Sequence, residues 1–233
     1  MRSDEIRIGL FLPQYAKDSQ SGKITGVGTG LLLAEIALAL AAARGAELRI
    51  VEYPSPTSAV AGLNGDSCDI AFLGIEPSRA AKVDFTPALF EFDYTYLVPA
   101  GSAMHGCADA DRPGTRIAIV DGHASALALR RLVTKATLIG SDLPDAAFAL
   151  LRSGMADAFA LPREQLASYS DALPGSRVLD DGYGINRVAI AVAKGRAGWL
   201  ADVSDFAARA KESGIIADAI ARIGLHGFSV AAP

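Results

Sequence analysis

Arg79 is the residue best equipped for chemistry in this chain. It follows the apolar run Ile70 to Leu73 within Gly74-Ile75-Glu76-Pro77-Ser78-Arg79. In open α/β sheets ligands settle beyond the carboxyl ends of the strands, where loops enter helices and unsatisfied N–H groups point outward. A planar, permanently charged guanidinium there can hold a carboxylate through two parallel hydrogen bonds. The plainer alternative is a solvated arginine, or one paired with Asp84. A second candidate turn, Asp121-Gly122-His123-Ala124-Ser125, follows the strand-like Ile117 to Val120 and leads into a helix. Ser125 is expected to cap that helix and still face a ligand. His123 could reach the same place or be an ordinary packed histidine.

Other chemistries find little support. Cys68 and Cys107 lie in no CxxC and in no Cys/His cluster with metal-ligand spacing. Gly26-Val27-Gly28-Thr29-Gly30 lacks the GxGxxG spacing, and no Ser/His/Asp order stands out. No cofactor and no metal are therefore expected. Twenty-two basic against twenty-six acidic side chains leave a charge of -4, which draws the chain to neither nucleic acid nor anionic lipid. The longest apolar run, Leu31 to Ala43, is broken by Glu35 and is shorter than the roughly 20 residues of a membrane helix, so no membrane insertion is expected. Met1 to Glu5 pass directly into strand-like Ile6 to Leu10 without a signal-peptide core. The expected compartment is cytoplasmic for the sequence as it stands, and periplasmic if a leader precedes it.

The elements that must position these residues alternate. Strand Ile6 to Leu12, helix Leu31 to Arg44 with Thr29 as N-cap and Gly45 as stop, strand Leu48 to Tyr53, helix Ser58 to Leu63 and strand Ile70 to Leu73 read as β-α-β-α-β. Lys17 to Lys23 reads as a loop. A second series follows: strand Arg116 to Val120, helix Ser125 to Val133, strand Ala136 to Ile139, helix Leu143 to Arg152, strand Ala158 to Leu161. Such alternation predicts parallel sheets covered by helices, in two α/β lobes. The third strands are introduced alike, by Leu63 to Asp69 and by Leu151 to Asp157, a recurrent helix-loop-strand solution. Tyr94 to Val98 and Val188 to Val192 are expected to be two hinge crossings. Lobe 1 then comprises residues 1–97 and 192–233, and lobe 2 residues 98–191. Trp199 to Ile223 is expected to be helical, docking Phe206, Ala210, Ile215, Ala219 and Ile223.

The stretch Gly74 to Pro87, with its Val83-Asp84-Phe85-Thr86-Pro87 ending, resembles the signature of the family 3 extracellular solute-binding proteins. Further landmarks fall in the same order: the Gly26 turn, the Leu-x-Gly-x-x-x-Asp before the third strand, Gly114 to Val120, Gly154 to Ala158, and Ala189 to Gly195. The resemblance implies the two-lobed type II periplasmic-binding-protein fold, a monomer closing on a small carboxylate-bearing ligand such as an amino acid or related organic acid, and an ABC permease as partner. It implies that Gly74 and Arg79 belong to the carboxylate site, that the His123/Ser125 turn completes it, and that Phe11 and Tyr15 lie over the ligand, unless they merely pack in the core. Two departures stand out. Glu76 occupies a place commonly held by threonine, and Pro162 falls where amino-acid binders usually present an aspartate to the ligand ammonium. Glu76 or Glu164 could replace that counter-ion, or the ligand could lack an α-amino group. The alternative is an enzyme on the same fold, similar to cyclohexadienyl dehydratases and chorismate dehydratase, with Glu76 or His123 as general acid or base.

Overall fold

The structure is a computed structural model that describes residues 5–11, 15–17, 24–26 and 28–232. The chain divides into two compact units, one of residues 1–91 with 187–233, the other of residues 92–186.

The first unit opens with β1 (Glu5–Phe11), β2 (Tyr15–Lys17), β3 (Ile24–Gly26), α1 (Gly28–Arg44), β4 (Glu47–Tyr53), α2 (Pro56–Asn64), β5 (Ile70–Gly74), α3 (Pro77–Ala80) and β6 (Val83–Phe85). β1 lies between β4 and β5 and is parallel to both, with Ile8 opposite Ile50 on one side and Ile70 on the other. Every residue of β5 is buried, as a strand covered on both faces requires. Helix α1 supplies one cover, burying Leu32, Leu33, Ile36, Ala37, Leu40 and Ala41, and stops at Gly45 in the left-handed region. Thr29 is not its N-cap. The chain turns into the helix one residue earlier, at Gly28, whose φ of +63° suits a residue without Cβ. Helix α2 likewise starts before Ser58: Ser55 is the cap, Pro56 the first residue, and Ser58 the returning half of a capping box.

β7 (Phe90–Val98) carries the chain into the second unit, which contains β8 (Arg116–Val120), α4 (Ala124–Leu132), β9 (Thr137–Ser141), α5 (Pro144–Arg152), β10 (Ala158–Pro162), α6 (Arg163–Asp171) and β11 (Arg177–Val178). β8 is parallel to β9 and β10, and β7 runs antiparallel to β10 and β11. Two apolar clusters cover the two faces. One is built on Ile117, Ile119, Ala126 and Leu129, the other on Phe148, Leu151, Phe159 and Leu166. β12 (Gly184–Ala193) returns to the first unit, where Val188 to Ala191 pair antiparallel with β5 and Ala191 to Ala193 with β6.

The tail forms α7 (Ala197–Glu212), α8 (Ile215–Ile223) and β13 (Phe228–Val230), not one helix. Gly214 at φ +80° breaks it, and the break rotates the buried stripe. Phe206, Ala210 and Ala219 are buried as expected, but Ile216 and Ile220 take the inward positions while Ile215 is 46% exposed.

The matching Leu63–Asp69 and Leu151–Asp157 stretches end on the same device. Asp69 accepts from the backbone N–H of Arg7 at 2.8 Å and from its Nη2 at 2.8 Å, while its own N–H donates to Arg7 O. Asp157 repeats all three bonds with Arg116. Each unit thereby staples its first β-α-β strand to its third through a bidentate pair.

A further carboxylate clamps the second unit. Asp111 accepts from the backbone N–H groups of Thr134, Lys135 and Ala136, which holds its carboxyl down at about 2. A depressed carboxyl contributes stability that is present above its ordinary range and is lost as pH falls through the folded value. The stability difference between the wild type and Asp111→Asn should therefore be constant near neutrality and close as the pH is lowered toward 2, as measured by urea unfolding; a pH-independent difference would contradict this role.

Candidate functional site

In the first unit, β5 delivers three candidate residues to its carboxyl end. Gly74 is its last residue, pairing with Val188 of β12. Glu76 follows in extended conformation as N-cap of α3, and its carbonyl accepts from Arg79 N and Ala80 N at 2.9 Å each. Arg79 is 9% exposed and donates from Nη1 to Gly74 O at 2.9 Å. The guanidinium is thus anchored on the last carbonyl of the central strand and is not a solvated surface group. Glu76 is buried too, at 6% exposed, so a carboxyl and a guanidinium share this strand end.

Asp84 is engaged elsewhere. It accepts from Lys194 Nζ at 3.0 Å, and that ammonium holds its carboxyl below the ordinary range. Thr86 is buried and takes the Ile190 N–H on its hydroxyl at 3.2 Å. The Asp-Phe-Thr part of the signature therefore fastens β6 to β12, and the arginine part is what faces the strand end. Phe11 closes β1 and Tyr15 opens β2; their side chains lie outside the described ones.

In the second unit, the turn after β8 is built differently from expectation. The N-cap of α4 is His123, not Ser125: His123 Nδ1 accepts from Ser125 N at 3.2 Å. Ser125 sits within the first turn, fully buried, with its hydroxyl 2.7 Å from the same nitrogen. An imidazole reaches the amide two residues on as a serine would, so the capping place moved forward. The ring stands edge-on to Tyr94 at 6.3 Å, and Tyr94 and Tyr96 flank Tyr183 at 5.9 and 4.7 Å. The Tyr183 hydroxyl is buried beside Ser125 without a completed hydrogen bond, and burial pushes its ionisation well above the ordinary value.

Pro162 ends β10 opposite Tyr94 and precedes α6. Glu164 lies in the first turn of α6, where burial raises its carboxyl above the usual range. Sequence reasoning missed the neighbour between them. Arg163 donates from Nε to Asp93 Oδ2 at 2.8 Å and from its Nη atoms to the carbonyls of Leu179, Asp180 and Asp181. Nothing near Arg163 in the sequence announces partners this distant.

Among the described residues no cluster of His, Cys, Asp and Glu is arranged to hold a metal, and no helix is long and apolar enough to cross a membrane.

Parallel β-α-β units whose strands end in an anchored arginine and a capped helix define a fold of the type II periplasmic binding protein class, and solved structures agree. A binding component of an ABC transporter from Wolinella succinogenes DSM 1740, complexed with lysine, superposes with a TM-score of 0.77 at 24% identity, covering 94% of this chain and 95% of that one. An ancestral amino acid-binding protein, AncCDT-1, described as a precursor of cyclohexadienyl dehydratase, gives 0.74 at 24% identity over 94% of each chain. The chain belongs to the bacterial extracellular solute-binding proteins, family 3, whose profile matches residues 11–224. The ABC transporter glutamine-binding protein GlnH of Bacillus subtilis (strain 168) is 27% identical over 157 residues, which are 65% of this chain and 55% of that protein. The matched part thus spans about half the length of that relative.

Proposed function

We propose that this chain is the substrate-binding component of an ABC transporter and takes a free amino acid or a closely related small carboxylate. The observation that carries the reading is the Arg79 guanidinium, buried at the carboxyl end of β5 and anchored by Gly74 O, in a chain whose family binds solutes. A buried guanidinium favours an anionic guest, and Nη1 anchoring fixes the plane in which a carboxylate would be met. In the second unit, His123 and the buried Ser125 in the first turn of α4 are the polar groups to which the family resemblance points. Glu76 and Glu164 are the carboxyls able to receive a ligand ammonium in place of the proline at 162. A permease is the proposed partner, and the protein acts as a monomer.

Calorimetry of the purified chain against the free amino acids and a panel of hydroxy and dicarboxylic acids tests this. At least one α-amino acid should bind with a one-to-one stoichiometry. A chain that takes only uncharged solutes, or none of the panel, would rule the reading out. Mass spectrometry of the same mixtures should return the ligand unchanged, whereas loss of water from a hydroxy acid would identify the dehydratase alternative.

A further inference from the structure

The half-buried carboxyls of the second unit are Asp93, Asp109, Asp111, Asp157 and Glu164. All but the last are met where they stand. Asp93 accepts from Arg163, Asp157 from the side chain and backbone N–H of Arg116, Asp109 from the N–H groups of His105 and Gly106, and Asp111 from the N–H groups of Thr134, Lys135 and Ala136. Glu164 is the exception: among the described residues nothing donates to its carboxylate and no cation is paired with it. A carboxylate drawn part-way out of water without a partner weakens a fold, and a chain retains such a group where binding needs it.

The place of Glu164 says what needs it. β10 ends at Pro162 and α6 starts at once, so the first turn of α6 stands at the carboxyl end of a strand parallel to β8, the edge at which α/β sheets take their ligands. Neighbouring charges do not reach it. β10 carries no titratable side chain, and Arg177 of β11 is turned to the carbonyls of Ser102 and Met104. On α6 itself Arg163 is held by Asp93, Tyr169 donates to Asp145 of α5, and Asp171 closes the far end of the helix. Asp181, after β11, accepts from Cys107 N, and Arg152 is exposed at the last residue of α5. Desolvation is the one influence left on the Glu164 carboxyl, and it favours the neutral form.

We propose that Glu164 is a carboxylate kept without a partner for a cationic guest: it receives the ammonium group of a bound amino acid and releases that guest on acidification. The unmatched carboxylate stands on the second unit alone. Its part in binding rests on the function proposed above. An ammonium supplies the missing charge-assisted hydrogen bond, so guest and proton compete for the same oxygens. Without ligand the ionised form is the unfavourable one, so the loss of stability is complete above the raised folded value and vanishes as pH falls toward the ordinary carboxyl range. With an amino acid present the ionised form is the one that binds, so affinity is lost in the same direction.

The test compares the wild type with Glu164→Gln, which keeps the shape and cannot ionise. Without ligand the variant should melt about 2–4 °C above the wild type at neutral pH, and the gap should close as the pH is lowered toward about 4. Melting profiles that run together, or a variant below the wild type at neutrality, would overturn the unmatched carboxylate. All other acidic side chains are common to both proteins and cancel. The calorimetric probes are L-glutamine and L-lysine, each beside a counterpart lacking the α-amino group, glutaramate and ε-aminocaproate. For an amino acid that binds, the wild type should exceed Glu164→Gln in affinity by about thirtyfold at neutral pH, and that advantage should shrink about tenfold by about pH 4.5, while the deaminated counterparts bind both proteins alike. An amino acid held equally by both proteins would remove Glu164 from the ammonium site and leave the function reading standing. If neither amino acid binds the wild type, the function reading fails and the ligand role of Glu164 fails with it, whereas the melting profiles still decide on the carboxylate.

Discussion

Replacing Arg79 by alanine is expected to weaken binding of the cognate ligand by about a hundredfold to a thousandfold, the usual cost of truncating one side of a desolvated, hydrogen-bonded charge pair. Arg79 is 9% exposed, so little water is available to stand in for it on a bound carboxylate. Arg79→Lys should recover only part of the loss. An ammonium restores charge but not a planar fork, and it cannot both replace the 2.9 Å bond to Gly74 O and meet a carboxylate in the same plane. Titration calorimetry on both variants, with circular dichroism to establish that the unit holding β5 stays folded, provides the measurement. An alanine variant that keeps its affinity would end the assignment of Arg79 to the site.

Arg163→Ala is expected to destabilise the second unit by about 3 kcal/mol, since removing one member of a largely buried pair strands the other. Asp93 would lose its Oδ2 partner while its Oδ1 is already buried without a hydrogen bond. Carbonyls of Leu179, Asp180 and Asp181 would lose a donor as well. These links join the start of α6, β7 and the segment after β11, so the loss should appear as one shift in the denaturation midpoint and not as local fraying. Arg163→Met, which keeps the bulk, should be nearly as damaging; a midpoint within experimental error of the wild type would show that the clamp is dispensable.

What could be read in advance was what repeats or is local. The alternation of apolar runs with Ala- and Leu-rich stretches gave the order of β1, α1, β4, α2 and β5, and again of β8, α4, β9, α5 and β10, because buried parallel strands and their covering helices differ in length and composition. Arg79 stood out because a charged residue directly beyond an apolar strand has few structural uses. The misplaced features depend on contacts or on backbone angles. Gly214 is an ordinary glycine in the sequence, but its left-handed φ ends α7 and shifts the buried stripe from Ile215 to Ile216. His123 outcompeted Ser125 for the cap through side-chain reach, which composition does not encode. Arg163 finds Asp93 from 70 residues away, and Asp157 finds Arg116 from 41, so the identical stapling of Asp69 and Asp157 emerged only once the strands were paired.

The chain has a single tryptophan, and it lies in the first unit: the Trp199 indole donates to Asp69 O at 3.0 Å with the Arg44 guanidinium 4.1 Å above its ring. Tyr94, Tyr96, Tyr169 and Tyr183 all belong to the second unit. Indole emission therefore reports on one half of the molecule, and tyrosine circular dichroism in the near ultraviolet reports chiefly on the other. Melting of the two halves can be followed separately in the unlabelled protein, without introducing a dye or a second tryptophan.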